Sequence, residues 1–212
     1  MLHYETVLPA TLELLKRLMA DSNIPAFRLV GGTALTLQMG HRLSVDIDLF
    51  SDESFDEVAL REYLVQNYGF KTEFISKETL KGEINGVQVD CIAHKYHWIR
   101  PCIEEDAIRL AGIEDLCAMK LNAVSNSGKR VKDFIDIAYL STRFSLQQML
   151  GFFEEKYGES SLLALKAITF FDDINFNEPV MLSSTKTLIW KNIAKRLQEM
   201  NQYQLKIFTT EP

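Results

Sequence analysis

Between residues 26 and 50 a short apolar run, AFRLV, meets Gly31-Gly32, a stretch of helical rhythm follows, and the chain returns as SVDIDLF. Two glycines thus precede Asp46-x-Asp48 with thirteen residues between them, and nothing else in the 212 residues narrows the fold as much. AFRLV reads as a strand, and TALTLQMG as two turns of helix closed by Gly40. The alternation in SVDIDLF predicts a second strand, with Asp46, Asp48 and Phe50 on one side and Val45, Ile47 and Leu49 on the other.

The acidity around this strand invites a calcium reading, because DIDLFSDESFDE holds six carboxylates in twelve residues. As an EF-hand loop it fails at two places: Phe50 offers no ligand oxygen, and Ser51 stands where the sharp turn needs glycine. The later acids belong to another element. FDEVALREYLVQNY carries Phe55, Val58, Leu60, Leu64 and Tyr68 in helical rhythm before Gly69, with Ser54 as N-cap and Glu57 three residues on. Asp52, Glu53, Asp56 and Glu57 are then solvent-facing acids at a helix start.

Two more strand candidates, FKTEFIS and TLKGEI, lead to Asn85-Gly86, a dipeptide favoured in type I′ turns, and then to VQVDCIAH. Residues 79 to 93 should form a hairpin whose second arm places Gln88, Asp90 and Ile92 on one face and Val87, Val89 and Cys91 on the other. Strand neighbours two apart lie roughly 6 to 7 Å apart at Cα, so Asp46 and Asp48 can converge, with Asp90 as third member. Two carboxylates some 4.5 Å apart repel by roughly 4 kcal/mol at an effective dielectric of about 20. Bound divalent metal relieves this, and hard oxygens suit Mg²⁺ or Mn²⁺. Gly31 and Gly32 let the main chain approach a triphosphate, and a helix starting near Thr33 would aim its N–H groups at the anion, with the Thr33 hydroxyl in addition. His41-Arg42 either contacts the nucleotide or bonds to carbonyls at the end of the helix.

At 47% hydrophobic content the chain can bury a real core as one large domain or two small ones. LPATLELLKRLM predicts an amphipathic helix over residues 8–19 with Leu8, Leu12, Leu15 and Met19 inward and Lys16 and Arg17 outward. No apolar run approaches the roughly 20 residues of a membrane helix, and the N-terminus lacks the signature of a signal peptide, so a soluble, cytoplasmic chain with no membrane partner is expected. The three cysteines, Cys91, Cys102 and Cys117, share no CxxC spacing and read as reduced thiols. A net charge of -6 argues against coating DNA by bulk electrostatics. HKYHWIR, residues 94 to 100, mixes cationic and aromatic side chains; it suits nucleic-acid contact or alternation in a half-exposed strand. From Glu114 onward the periodicity is helical, through LQQMLGFFEEKY and SSLLALKAITFF to TKTLIWKNIAKRLQEMNQYQLK, with Phe152-Phe153 and Phe170-Phe171 as core. The change of texture near residue 112 marks the boundary of two portions, 1–112 and 113–212.

LVGGTALTLQMGHRLSVDIDLF resembles the signature of the DNA polymerase β-like nucleotidyltransferases, and specifically of the AbiEii/AbiGii toxin branch. EDLCAMKLNAVSNSGKRVKDFIDIAYL is similar to the second conserved stretch of that branch, and together the matches cover about residues 26 to 140. The resemblance implies an α+β nucleotidyltransferase fold, a small mixed β-sheet flanked by helices plus a helical C-terminal portion. It implies metal ions on Asp46, Asp48 and Asp90, with Asp90 also as base, and a triphosphate at Gly31, Gly32 and Thr33. It also puts Lys120, Lys132, Asp133 and Asp136 in the second group of site residues, Lys132 standing where the family commonly has arginine and Arg130 close by. The implied reaction moves a nucleoside monophosphate from an NTP to an acceptor hydroxyl, with RNA or transfer RNA as acceptor and a cognate antitoxin as partner. Transfer to a small molecule such as an aminoglycoside, or a non-catalytic nucleotide-binding module, stays open. Without the resemblance, Lys129, Lys132, Asp133 and Asp136 read as salt bridges on a solvated helix.

Overall fold

In the computed structural model, which describes residues 1–183 and 188–212, the run AFRLV contributes a strand of two residues, β1 (Arg28–Leu29). Helix α1 (Pro9–Ala20) precedes it and α2 (Gly31–Met39) follows, closed by Gly40 in the left-handed conformation. The buried stripe of α1 is Thr11, Leu14, Leu15, Leu18 and Met19, one step round from the predicted face. Leu8 is its exposed N-cap, because Pro9 occupies the first helical position.

β2 (Ile47–Ser51) follows with the expected alternation: Ile47 and Leu49 are buried, Asp48 and Phe50 half-exposed. It starts three residues later than predicted, so Asp46 and an exposed Val45 lie in the connection before it. α3 (Glu57–Tyr68) is capped by Asp56, not Ser54: the Asp56 carboxylate accepts from Val58 N and Ala59 N at 2.9 Å each. Phe55 and Val58 stay outside its buried face, which is Leu60 and Leu64.

β3 (Lys71–Ser76), β4 (Thr79–Ile84) and β5 (Val87–Ala93) form a meander. Asn85 and Gly86 both take positive φ between the paired residues Ile84 and Val87, the type I′ geometry that their sequence predicts. A second hairpin, β6 (Ile103–Glu105) and β7 (Ile108–Leu110), was not predicted. Its turn uses Asp106 and Ala107 at positive φ, and no glycine marks it. The sheet order is β3-β4-β5-β2-β1-β7-β6, mixed because β2 runs parallel to β5 and β1 parallel to β7. One side of the sheet supplies the apolar layer, with Leu29, Ile47, Leu49, Leu80, Val89, Cys91, Ile108 and Leu110 at 2% exposure or less. Each such side chain contributes roughly 1.5–3 kcal/mol on burial, which fixes the register and leaves Asp48, Phe50 and Asp90 on the other side.

These elements belong to the first of two compact units, Met1–Gly112; the second is Ile113–Pro212. The second is helical as predicted: α4 (Ile113–Asn126), α5 (Val131–Leu140), α6 (Leu146–Tyr157), α7 (Leu162–Ala167) and α8 (Trp190–Gln202). α4 packs against α5, α6 and α7, and α5 against α8. The last predicted run began at Thr185, and residues 185–187 lie outside the described residues. Of the aromatic pairs expected in the core, Phe153 is buried and Phe171 packs edge-on to Phe134 and Trp190, whereas Phe170 is exposed. Among the described residues no helix is long and apolar enough to cross a membrane.

Candidate active site

The turn from β1 into α2 is built around the Asp48 side chain. Gly31 has φ of +69°, and a Cβ there would strike Asp48 Oδ2 and come within 2.8 Å of Asp48 Cγ. Only a residue without a side chain lets the carboxylate lie against the first turn of α2, where helix N–H groups lack intrahelical partners and the dipole is positive. The main chain confirms the approach: Val30 N donates to the Asp48 carbonyl at 2.9 Å. Gly32 serves a second close approach, since a Cβ there would meet the Arg42 guanidinium and lie 3.2 Å from Ser44 Oγ.

Two threonines one helical turn apart on α2 fasten the connection that carries Asp46. Thr33, fully buried, donates from Oγ1 to the Asp46 carbonyl and lies 2.9 Å from Ser44 Oγ. Thr36 donates to the Arg42 carbonyl. The Thr33 hydroxyl therefore positions the backbone at Asp46 rather than facing outward toward a phosphate, and Thr36 is a positioning residue that sequence reading missed. Arg42 is 2% exposed, packs beneath Gly32 and donates from Nη1 to the Leu43 carbonyl at 3.0 Å. His41 beside it is buried as well.

Asp48 and Asp90 occupy the same register position on the parallel neighbours β2 and β5, where strands run about 4.8 Å apart. Lys81 faces Asp90 from β4, and its Nζ lies 2.5 Å from Asp90 Oδ2; the side chains are 39% and 23% exposed. Row by row, Asp48, Asp90 and Lys81 thus share one face on three successive strands. Behind Asp90, burial first and then the Asp90 charge push the Cys91 thiol up to about 12.

Among the described residues no group of three or more His, Cys, Asp or Glu side chains is gathered to hold a metal ion. Asp46 stands outside β2, and Asp90 reaches Lys81. The donor chemistry nonetheless suits Mg²⁺ or Mn²⁺. Two hard carboxylates at one register position, both half-buried, are donors of the kind that such ions take.

In the second unit the remaining predicted residues form a buried ionic cluster. Lys120 Nζ lies 2.7 Å from Asp133 Oδ1 and 2.7 Å from Asp136 Oδ2, and all three side chains are at most 7% exposed. The solvated-helix reading fails for Asp133 and Asp136, whose face of α5 turns inward. One ammonium between two carboxylates leaves a negative excess, which Arg130 faces from 3.8 Å off Asp133. Lys132 does not join them; it pairs with Glu178 at 3.5 Å. A second buried pair, Lys156 with Asp115 at 2.8 Å and both fully inaccessible, went unread because the two residues sit on different helices.

Residues 94–100 form bends, not a strand. His94 stacks near Phe50 and Tyr96 with ring centroids 5.3 and 4.8 Å apart, and Arg28 lies over the Trp98 ring at 4.4 Å. Lys95 is held by Glu78 at 2.7 Å.

Residues 13–101 match the family described as nucleotidyl transferase AbiEii toxin, type IV TA system. An uncharacterised protein of Aquifex aeolicus (strain VF5) is 28% identical over 154 residues, which is 69% of this chain and 74% of that one. The fold is similar to that of a putative nucleotidyltransferase from H. pylori, with TM-score 0.54 and 17% identity over 92% of this chain and 95% of the other. It is also similar to that of JHP933 from Helicobacter pylori, with TM-score 0.53 and 16% identity over 93% and 92%. These likenesses show the α+β nucleotidyltransferase fold. The glycine pair, Asp46, Asp48 and Asp90 all lie inside the matched segment, so the part of the chain that resembles the nucleotidyl transferase AbiEii toxin family is the part that bears the candidate site.

Proposed function

We propose that the chain is a metal-dependent nucleotidyltransferase that moves a nucleoside monophosphate from an NTP to a hydroxyl of an RNA acceptor, with residues 1–112 as catalytic core and 113–212 as a helical portion. One observation carries the reading: Asp48 shares its register position with Asp90 on the parallel neighbour while its carboxylate lies against Gly31 at the start of α2. Asp46, Asp48 and Asp90 would hold Mg²⁺ or Mn²⁺, which when bound neutralises charge on the phosphates and acidifies the attacking hydroxyl. Gly31 and Gly32 supply main-chain N–H groups for the triphosphate, and the Thr33 hydroxyl and Arg42 keep that turn and the Asp46 backbone in place.

In the reaction the acceptor oxygen forms a bond to the α-phosphorus, the α–β bridging bond breaks, and pyrophosphate leaves with the electron pair. The acceptor proton passes to the Asp90 carboxylate. Asp133 and Asp136 hold the Lys120 ammonium in one orientation within the helical portion. A cognate antitoxin is the partner that the family suggests, in the cytoplasm.

The test is label transfer from each NTP, with Mg²⁺ or Mn²⁺, to total RNA and to aminoglycosides in parallel. Wild-type chain should label RNA, and Asp46→Ala should lose about a hundredfold or more of that activity, the scale of removing a main electrostatic group. Equal labelling by wild type and Asp46→Ala would sink the proposal. Label on aminoglycosides alone moves the acceptor to small molecules, and nucleotide binding without pyrophosphate release marks a non-catalytic module.

A further inference from the structure

The structure assigns Lys81 a role as a built-in, exchangeable counter-ion of Asp90, one that a divalent cation must displace; this rests on the metal-dependent reading above. Three facts carry it. Lys81 is the cross-strand partner of Asp90, and Asp90 is the register partner of Asp48, so the ammonium lies in the same row as the two carboxylates. Its Nζ is 2.5 Å from Asp90 Oδ2, a short charge-assisted contact. The Lys81 side chain is 39% exposed, so unlike Lys120 and Lys156 it can swing away without leaving a buried charge behind.

Two carboxylates side by side on neighbouring strands repel, and a resident cation lets the sheet form before any metal arrives. The same cation then competes. A divalent ion approaching Asp90 meets a unit positive charge a few ångström away, and it binds only by sending Lys81 elsewhere on that face. The released ammonium remains tethered beside the row, where the polyphosphate that accompanies the metal offers it a new anionic partner. Lys81 therefore raises the metal concentration needed by the empty protein and lowers it once nucleotide is present, which couples the two ligands.

The test is Mn²⁺ affinity without nucleotide, read by electron paramagnetic resonance on the full chain, for wild type, Lys81→Met, Lys81→Arg and Asp48→Asn. Lys81→Met should bind Mn²⁺ about tenfold more tightly than wild type, the order of magnitude that Coulomb repulsion between a unit charge and a divalent ion gives at a few ångström even in water. Lys81→Arg should restore the wild-type value, and Asp48→Asn should weaken binding in every background. Adding a non-hydrolysable NTP analogue should tighten Mn²⁺ binding more in wild type than in Lys81→Met. Equal Mn²⁺ affinity in wild type and Lys81→Met, with both sensitive to Asp48→Asn, overturns the counter-ion role and leaves the metal reading standing. Binding that ignores Asp48→Asn, or none in either chain, overturns both. Far-ultraviolet circular dichroism on each variant separates these outcomes from loss of fold.

Discussion

Gly31 and Asp48 touch: the Asp48 carboxylate fills the space that a side chain at Gly31 would need, and the backbone at Gly31 is in the left-handed region. Gly31→Ala therefore incurs two penalties, about 1–2 kcal/mol for the backbone and more for displacing the carboxylate. In urea unfolding the substitution should cost less when Asp48 is already alanine, because the second penalty is then largely removed. Equal costs in both backgrounds would show that the contact is unimportant.

Lys120 lies between two buried carboxylates, 2.7 Å from each. Lys120→Met should destabilise the second unit by about 3–5 kcal/mol, the usual result of stranding a buried charge. The triple variant Lys120→Met/Asp133→Asn/Asp136→Asn should recover most of that loss in the same denaturant titration. If Lys120→Met is neutral, the cluster is not buried in solution.

Asp21 gives the fold an acid-sensitive fastening. Desolvation alone would raise its carboxyl, but hydrogen bonds from Tyr68 Oη, Asn23 N, Tyr63 Oη and Asn23 Nδ2 outweigh it and bring the group down to about 2. The unfolded value is about 3.9, so the contribution is fully present above that pH and disappears as the pH falls toward 2. Wild type should lose thermal stability between about pH 5 and 2 more steeply than Asp21→Asn. Parallel midpoint curves for the two chains would contradict this.

The Asp106-Ala107 turn holds a non-glycine residue at φ of +65°. Ala107→Gly should raise the unfolding free energy by up to about 1 kcal/mol, since relief of the left-handed backbone exceeds glycine's extra chain entropy. A lower melting temperature for Ala107→Gly would mean that the alanine methyl packs usefully.

Burial raises all three thiols, Cys91 to about 12 and Cys117 further still, and Cys102 least buried of them. At pH 8 a disulfide reagent should modify Cys102 first in the native chain, with Cys91 and Cys117 reacting only in denaturant. Peptide mapping by mass spectrometry distinguishes the order.

Much of the site-bearing unit is legible in one dimension because its signals are local. Asn85-Gly86 states its turn type, the alternation in DIDLF states which side of the strand is apolar, and Gly40 and Gly69 state helix ends. What stayed hidden depends on partners far away in sequence. Nothing around Asp48 says that Asp90 is its parallel neighbour, and nothing near Asp115 names Lys156. Thr33 looked like a phosphate hydroxyl until its acceptor, a backbone carbonyl thirteen residues on, was seen. The β6–β7 hairpin went unread because Asp106-Ala107 pays the left-handed cost without glycine's announcement. Asp56 in place of Ser54 as cap is a two-residue slip, the ordinary uncertainty of a helix start.

The parallel pairing of β2 with β5 also has a meaning in time. Asp48 and Asp90 become neighbours only after α3 and the whole β3–β4–β5 meander have been made and folded back, a non-local closure that comes late in assembly. A chain still being synthesised, with Asp48 already outside the ribosome and β5 still within it, holds half of the carboxylate pair. Strand order thus delays the meeting of these two carboxylates until β5 has emerged.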